Sequence, residues 1–262
     1  MVSPGFVIVF DGLSTPGDLA TGCIHGTPWY VRRLGGHLAR CLTNEPDEPL
    51  ADLLARAIAH LAASHAHTCD LGDPGTPSST VAVVRERPSH VDYLLLADSV
   101  TLLDGPGGAQ VVVDDRVDAV ATHELAAARR QPAGLPQPAH HLQVQQLVLE
   151  QRRHRNRTGG YWVAAADPAA AHHAVTGTLP RDDVYRVAVL TDGAARLVDP
   201  FGLATWLSLL DLLQRHGPSA LIDRVREAER SDPDGQRWPR IKRCDDATAA
   251  FCALRASQPS PS

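Results

Sequence analysis

The sequence predicts an α+β fold in which helices cover two antiparallel sheets. Four strand-like segments follow one another with short links, which favour antiparallel neighbours. Along the whole chain, the elements occur in blocks: strands, helices, one strand, helices and a final strand. A doubly wound parallel sheet requires regular alternation of strands and helices instead. The length of 262 residues predicts a single domain at 1–256, followed by a disordered Ser/Pro tail at 257–262.

The first half of the chain supplies most of the predicted strands. A continuous apolar run at 6–10 predicts a buried strand that ends at Asp11-Gly12. Apolar residues at helical spacing predict an amphipathic helix within 49–69. Turns rich in Pro, Gly, Ser and Asp separate the four following strands, which we place at 80–84, 93–96, 100–103 and 110–113.

The second half of the chain is mainly helical. Helical patterns at 120–130 and 142–153 flank a Pro-rich break at 132–138. A strand at 185–190 leads into Asp192-Gly193, and two helices at 203–215 and 218–230 meet at Gly217-Pro218. The last strand, at 247–254, follows Asp245-Asp246.

Composition excludes several classes of function. A net charge of -5 provides no basic field for nucleic acid or anionic lipid, and we interpret the basic run at 152–157 as a solvated helix end. The opening apolar run is too short for a membrane span and lacks the basic lead of a signal peptide, which predicts a cytoplasmic protein. Five cysteines without a CxxC pair predict reduced thiols.

Three predicted strand ends present an aspartate beside a glycine or a second acid: Asp11, Asp192 and Asp245. Hard cations such as Mg²⁺ and Mn²⁺ prefer carboxylate and carbonyl oxygens. A glycine after the aspartate lets the backbone carbonyl approach the same ion. The three strand ends therefore indicate a divalent-metal site, although each Asp-Gly alone is typical of a plain turn.

The order of these motifs resembles that of the metal-dependent (type 2C) protein phosphatases, and the chain is similar to a divergent bacterial member of that family. The apolar strand into Asp-Gly, the Ser-Thr strand, the Asp-Ser turn, the Thr-Asp-Gly and the terminal Asp-Asp-x-Thr match the family pattern in order. The resemblance covers nearly the whole chain, through the stretches 9–12, 79–84, 97–99, 190–193 and 245–248.

The resemblance implies an αββα four-layer sandwich with two metal ions, Mg²⁺ or Mn²⁺, at one end of the sheets. By that analogy Asp11 bridges both ions, the Gly12 carbonyl binds one, and Asp192 and Asp245 bind the other. Asp98 is the implied ligand of a third ion. The implied activity is phosphoric-ester hydrolysis by a metal-bound water, on a phosphorylated protein or a small phosphorylated metabolite.

The sequence departs from the family pattern at three points. It begins after the usual opening strand, whose arginine grips phosphate. The stretch 13–17 replaces the usual Gly-Gly or His-Gly-Gly, and Ala97 stands where the family has glycine before its third-metal aspartate. These changes favour an altered substrate, or a catalytically weak or inactive protein that binds a ligand or partner.

Residues 22–33 are the proposed recognition surface for such a ligand, because they combine rare residue types beside the predicted metal loop. Trp29 offers an apolar wall, and Arg32 or Arg33 is a candidate to replace the missing phosphate-gripping arginine. Alternatively, a helix starts near Trp29 and leaves both arginines outside. Cys23 and His25 complete the set of candidate substrate contacts.

Cys23 and His25 also suggest a third class of function, a Cys-His thiol hydrolase. Two residues apart in an extended segment, they point to the same side, but no orienting carboxylate or oxyanion hole is evident. The other histidines do not match the spacing of zinc ligands; they are His60, His65, His67 and the adjacent pairs at 140–141 and 172–173.

Overall fold

The computed structural model describes residues 1–16, 19–130 and 138–254, and nine β-strands lie within these ranges. The predicted tail at 257–262 and most of the Pro-rich break at 132–138 fall outside them. The strands are β1 (Val2–Ser3), β2 (Phe6–Gly12), β3 (Ser79–Glu86), β4 (His90–Leu96), β5 (Val100–Gly105), β6 (Gly108–Val113), β7 (Val175–Pro180), β8 (Arg186–Leu190) and β9 (Ala249–Ala253).

Six α-helices lie within the same ranges: α1 (Gly26–Asn44), α2 (Leu50–His65), α3 (Thr122–Arg129), α4 (Pro138–His154), α5 (Asp192–Ala195) and α6 (Trp206–Ser231). The two helices predicted at 203–215 and 218–230 correspond to α6, which is broken at Gly217 with φ of 77°. No helix in these ranges is long and apolar enough to cross a bilayer.

The strands form two antiparallel sheets, as predicted. One has the order β1-β2-β3-β4-β7 and the other β6-β5-β8-β9. The expectation that all four neighbouring strands at 80–113 pair in sequence is wrong at one link, because β4 pairs with β7 and β5 pairs with β8. The turn between β4 and β5 therefore carries the chain from one sheet to the other.

Alternation along the strands separates the core into layers. Ile8 of β2 packs with α1 and α2 on the outer face of the first sheet, whereas its neighbours Val7 and Val9 pack between the sheets against Val187 and Val189 of β8. On the outer face of the second sheet, a third apolar cluster lies against α5 and α6. The layer order is therefore αββα.

Candidate functional site

The strand register brings the predicted aspartates to one end of the sandwich. Asp11, near the end of β2, lies opposite Thr80 at the start of β3. In the second sheet, the start of β5 pairs with the end of β8, and the end of β8 pairs with the start of β9. This end carries four acidic side chains, here called the aspartate cluster: Asp11, Asp98, Asp192 and Asp245.

The four carboxyl groups lie close enough to repel one another. Burial together with the charges of Asp192, Asp245 and Asp98 raises the pKa of Asp11 to about 8. Burial and the charge of Asp192 also raise the pKa of Asp98 to about 7. Because like charges disfavour each other's ionisation, a cation bound between these groups would stabilise their charged forms.

Two buried hydroxyls connect the strands that carry the cluster. The backbone N–H of Asp11 donates to Thr80 Oγ1 at 3.1 Å, and Thr80 Oγ1 lies 2.7 Å from Ser99 Oγ. The Ser-Thr strand and the Asp-Ser turn, two of the motifs in the family-like order, therefore meet in space. Their contact fixes the end of β2 relative to the turn that holds Asp98.

The glycines that follow two of the aspartates provide room for neighbouring segments. A Cβ on Gly12 would lie 2.5 Å from Thr27 Cγ2 of α1, and one on Gly193 would overlap the carbonyl oxygen of Asp246. Asp-Gly is therefore needed here because other elements approach the backbone closely. Because Gly193 has no side chain, the segment of Asp245 can pack against the start of α5.

The turn before Asp98 keeps a glycine-like conformation without glycine. Ala97 has φ of 69°, in the left-handed region that costs an L-residue about 1–2 kcal/mol. The buried carboxylate of Asp114 accepts a hydrogen bond from the Ala97 N–H at 3.0 Å and is paired with Arg116. The departure from the family glycine at this position thus leaves the turn in place.

Two cations that sequence reasoning missed lie on Asp245. Arg196 donates to its Oδ2 at 2.6 Å and Lys242 to its Oδ1 at 2.7 Å. Burial alone would lower the pKa of Lys242, but Asp245, Asp192 and Asp11 raise it above its ordinary value. Lys242 is the only lysine in the sequence, in a chain that otherwise uses arginine, and that rarity was the signal available for finding it.

Arg196 is itself held by a fully buried acid. Glu229 of α6 accepts from Arg196 at 3.2 Å and from Arg226 at 2.6 Å, and its side chain has no exposed surface. Arg226 also donates to the carbonyl of Asp245 at 2.5 Å. This network fixes Asp245 by both its side chain and its backbone.

The basic run at 152–157 is not simply a solvated helix end. Arg152 donates to Thr15 Oγ1 at 3.2 Å and to the Ala20 carbonyl at 3.0 Å. Arg155 is half-buried and donates to Ser78 Oγ at 2.8 Å. These two arginines therefore tie the end of α4 to the loop after Asp11 and to the segment that enters β3.

The segment 22–33 is a loop only as far as His25, because α1 begins at Gly26. Tyr30 is buried in the core and donates to the Ala165 carbonyl at 2.8 Å, so it forms no wall of a binding surface. Arg32 and Arg33 are exposed on α1, and the Arg33 guanidinium lies 6.0 Å from the centroid of Trp29. The alternative of a helix with outward arginines therefore describes this part of the segment.

Cys23 and His25 precede α1 and face each other, with Cys23 Sγ 3.6 Å from His25 Nδ1. The thiol of Cys69 lies nearer still, with its Sγ 3.1 Å from that of Cys23. A second thiol at this position is not part of a Cys-His hydrolase. The geometry therefore gives the thiol-hydrolase alternative no added support.

The aspartate cluster has the ligand type that a hard divalent cation prefers, but among the described residues no three of its carboxylates lie within 4.8 Å of one another, so an ion would have to draw them together. The four aspartates offer carboxylate oxygens from four chain segments, and burial together with the negative charge of the neighbouring aspartates raises the pKa values of Asp11 and Asp98. Mg²⁺ and Mn²⁺ are the ions that such an oxygen set prefers. Asp245 would bind such an ion in competition with Lys242 and Arg196.

Comparison with solved structures gives the fold that the motif order implies. A bacterial serine phosphatase aligns with a TM-score of 0.53 and 12% identity, over 97% of this chain and 87% of that chain. The PPM Ser-Thr phosphatase MsPP from Mycobacterium smegmatis, solved in complex with cacodylate, aligns with a TM-score of 0.51 and 16% identity, over 97% and 90%.

A C. elegans sex determining protein aligns with a TM-score of 0.53 and 13% identity, over 95% of this chain and 56% of that chain. This chain thus spans little more than half of that protein. The sequence matches no protein-family model and no curated protein. The structural matches show that the chain has the fold of the type 2C phosphatases, which confirms the predicted αββα sandwich.

Proposed function

We propose that the protein is a phosphoric-ester hydrolase that requires Mg²⁺ or Mn²⁺ at the aspartate cluster. The observation that carries this proposal is the gathering of four carboxyl groups at one end of a type 2C phosphatase fold, with the pKa of Asp11 raised to about 8. When bound, a divalent ion supplies Lewis-acid polarisation of a phosphoryl oxygen and lowers the pKa of water.

In this proposal the protein groups hold and orient the reactants. Asp11, the Gly12 carbonyl, Asp192 and Asp245 would hold the ions, and Asp98 would supply a further ligand. The hydrogen bond from the Asp11 backbone to Thr80 and the network around Glu229 keep the ligands fixed. Preorganised ligands of this kind do not have to reorganise during the reaction.

Lys242 is our candidate for the cation that faces the substrate phosphate. Its side chain is 45% exposed and donates to Asp245, so the ammonium lies at the border between the cluster and solvent. An ammonium there can attract a phosphate group as a point charge. A phosphorylated protein and a small phosphorylated metabolite both remain within this proposal, because metal ligands do not define what enters the site.

One observation favours a second candidate function, a weak or inactive phosphatase-like protein that binds a ligand or partner. Asp245 already pairs with Arg196 and Lys242. If these cations substitute for one divalent ion, the cluster is stable without a complete metal site. The segment 22–33, with exposed arginines beside Trp29, would then be the recognition surface.

Hydrolysis of a generic aryl phosphate with and without Mn²⁺ tests the proposal. We expect Mn²⁺-dependent turnover that falls by about 100-fold or more in Asp192→Asn and in Asp245→Asn, since each loses a carboxylate ligand of the ion that would stabilise charge on the reacting phosphate. Asp223→Asn, an exposed aspartate on α6, is the matched control and should keep the parent rate.

The two candidate functions give different results in a parallel Mn²⁺-binding titration. Turnover that survives both substitutions, or that ignores Mn²⁺, would contradict the hydrolase. Mn²⁺ binding without turnover would favour the binding protein. A Lys242→Met variant that gains Mn²⁺ affinity and turnover would show that Lys242 restrains a competent site.

A further inference from the structure

A second group of metal-ligating side chains lies at the start of α1, outside the aspartate cluster. It consists of Cys23, His25, His65 and Cys69, here called the cysteine-histidine cluster. Cys23 and His25 come from the segment before α1, whereas His65 ends α2 and Cys69 follows four residues later. The two cysteines are 46 residues apart in sequence.

The ligand atoms of Cys23, His65 and Cys69 lie within 4.8 Å of one another, and His25 Nδ1 lies beside the two sulfurs. Cys69 Sγ lies 3.1 Å from Cys23 Sγ and 3.4 Å from His25 Nδ1, and Cys23 Sγ lies 3.6 Å from the same nitrogen. A ligand nitrogen of His65 lies within 4.8 Å of both sulfurs. Tetrahedral Zn²⁺, with bonds of about 2.3 Å to sulfur and 2.0–2.1 Å to nitrogen, places its ligand atoms about 3.3–3.8 Å apart.

His65 is prepared for metal binding by its backbone partner. Its ring is buried, and Nδ1 lies 2.7 Å from the carbonyl oxygen of Leu61. Because a carbonyl can only accept, Nδ1 carries the proton in this bond and Nε2 keeps a lone pair. Metal-binding histidines usually have this arrangement, with the second nitrogen donating to a carbonyl or carboxylate.

The surroundings hold the two segments together and shield the cluster. The backbone N–H of Asp70 donates to the Gly22 carbonyl at 2.8 Å, and Gly22 has φ of 63° and leaves no room for a Cβ beside Asp73. Trp29 stacks on His25 with ring centroids 4.0 Å apart and meets His65 edge-on. The ligands therefore lie on a fixed scaffold beside an aromatic wall.

We propose that Cys23, His25, His65 and Cys69 bind one Zn²⁺ ion. Two thiolates and two imidazoles form the soft and borderline set that Zn²⁺ favours, and four protein ligands make a closed site of the structural kind. A simple Cys23–Cys69 disulfide would not account for two imidazoles that converge on the same sulfurs. The ion would join the start of α1 to the end of α2.

The experiment is a measurement of bound zinc in the full chain, kept reduced with a phosphine and dialysed against Zn²⁺ and then buffer. We expect one zinc per chain in the parent and in Asp192→Asn, which separates this site from the aspartate cluster. Cys23→Ser and Cys69→Ser should each weaken zinc binding by about 100-fold or more, since even changes outside the ligand shell cost about 10–100-fold. Cys41→Ser, a half-buried cysteine within α1, should retain zinc.

Co²⁺ provides a readout that does not depend on variants that fold. In the parent chain, thiolate ligation predicts a sulfur-to-cobalt charge-transfer band and intense visible bands of a tetrahedral ion, both removed by stoichiometric Zn²⁺. The proposal is overturned if the reduced parent binds no zinc, if the double variant Cys23→Ser/Cys69→Ser retains it, or if Co²⁺ binds without the thiolate band.

Discussion

The aspartate cluster and the cysteine-histidine cluster meet at α1 but are built in opposite ways. Asp11 and its partners come from strand ends in two sheets, and sheet register determines their positions. Cys23 and Cys69 come from segments next to helix ends, joined by a backbone hydrogen bond at Gly22. Thr27, two residues after His25, contacts Gly12 and donates to the Leu13 carbonyl at 3.2 Å.

The two clusters also differ in the chemical type of their ligands. Carboxylates form a hard, charged set that suits Mg²⁺ or Mn²⁺, whereas thiolates and imidazoles form a softer set that suits Zn²⁺. The aspartate cluster carries cations of its own, Arg196 and Lys242, and borders solvent. The two proposals thus place a site for reaction beside a site that would fix the backbone around it.

The largest effect that we expect is loss of stability when the cysteine-histidine cluster is broken. With Zn²⁺ present at about 1,000 times its dissociation constant, a ligand specific to the folded chain contributes about 4 kcal/mol. Cys69→Ser should therefore lower the Tm by about 8–16 °C in Zn²⁺, since 1 kcal/mol shifts a chain of this size by about 2–4 °C. Thermal unfolding followed by circular dichroism measures this change.

Each variant should affect only its own cluster. Cys69→Ser should leave Mn²⁺ affinity within a few fold of the parent, and Asp192→Asn should leave the Zn²⁺-dependent rise in Tm intact. If either variant abolished both responses, the two clusters would be one site and not two. Cys41→Ser, whose thiol lies outside both, should melt close to the parent in the presence of Zn²⁺.

The fold and the aspartate cluster were largely predictable from sequence, because both depend on local patterns. Alternation and apolar runs predict seven of the nine described strands, and each aspartate lies at the end of a strand or within a few residues of one. The strand β7 was missed because its sequence, VTGTLP, contains Gly and Pro that argue against a strand. The helix α1 was predicted only as an alternative that starts near Trp29, because Gly35 and Gly36 weaken its pattern.

The cysteine-histidine cluster could not be predicted in the same way. The ligands of structural zinc sites are usually recognised as closely spaced Cys and His pairs, whereas here one pair precedes α1 and the other ends α2. The packing of α1 on α2 and the backbone hydrogen bond from Asp70 to Gly22 bring Cys23 to Cys69. The role of Arg196 was hidden for the same reason, since its partners Asp245 and Glu229 lie in distant segments.

The aspartate cluster should make the stability of the folded chain depend on pH. The pKa values of Asp11 and Asp98 are about 8 and about 7 in the folded chain, against about 3.9 when unfolded. The folded chain thus binds more protons over this range, so these groups make stability fall as pH rises from about 4 to 8 without Mn²⁺. Above the folded-state pKa values of both aspartates, their contribution to the free energy of unfolding is completely lost.

Urea unfolding at pH 5 to 9 in chelator checks this sign. Asn resembles a protonated Asp, so the stability of Asp11→Asn relative to the parent should rise with pH and level off above about pH 8. Added Mn²⁺ should reduce that difference, because a cation stabilises the ionised parent cluster. A relative stability that is flat or falls with pH would mean that Asp11 is not crowded by other carboxylates.

A smaller effect is expected from Lys242, the cation that competes for Asp245. Removing its charge in Lys242→Met should tighten Mn²⁺ binding by about tenfold, equivalent to about 1.4 kcal/mol. If Lys242 also attracts phosphate, the KM for an aryl phosphate should rise at the same time. Titration of Mn²⁺ and steady-state kinetics on one preparation measure both changes.

Lys242→Arg is the matched control for the charge of this side chain. It should keep Mn²⁺ affinity near that of the parent, because it preserves the positive charge beside Asp245. Equal Mn²⁺ affinity in the parent, the Met variant and the Arg variant would show that the ammonium neither competes with the ion nor borders its site.

The smallest effect concerns the turn that carries Asp98, where backbone conformation and not side-chain packing positions a ligand. Ala97→Gly should relieve about 1–2 kcal/mol at φ of 69°, and the lost methyl contact and the freer unfolded chain should offset most of that gain. We therefore expect a net change within about 0.5 kcal/mol by urea unfolding. Ala82→Gly, at a buried position within β3, lacks the relief and should lose about 1.5 kcal/mol. Equal losses in the two variants would mean that the turn at Ala97 is not strained, and that glycine was replaced there at no energetic cost.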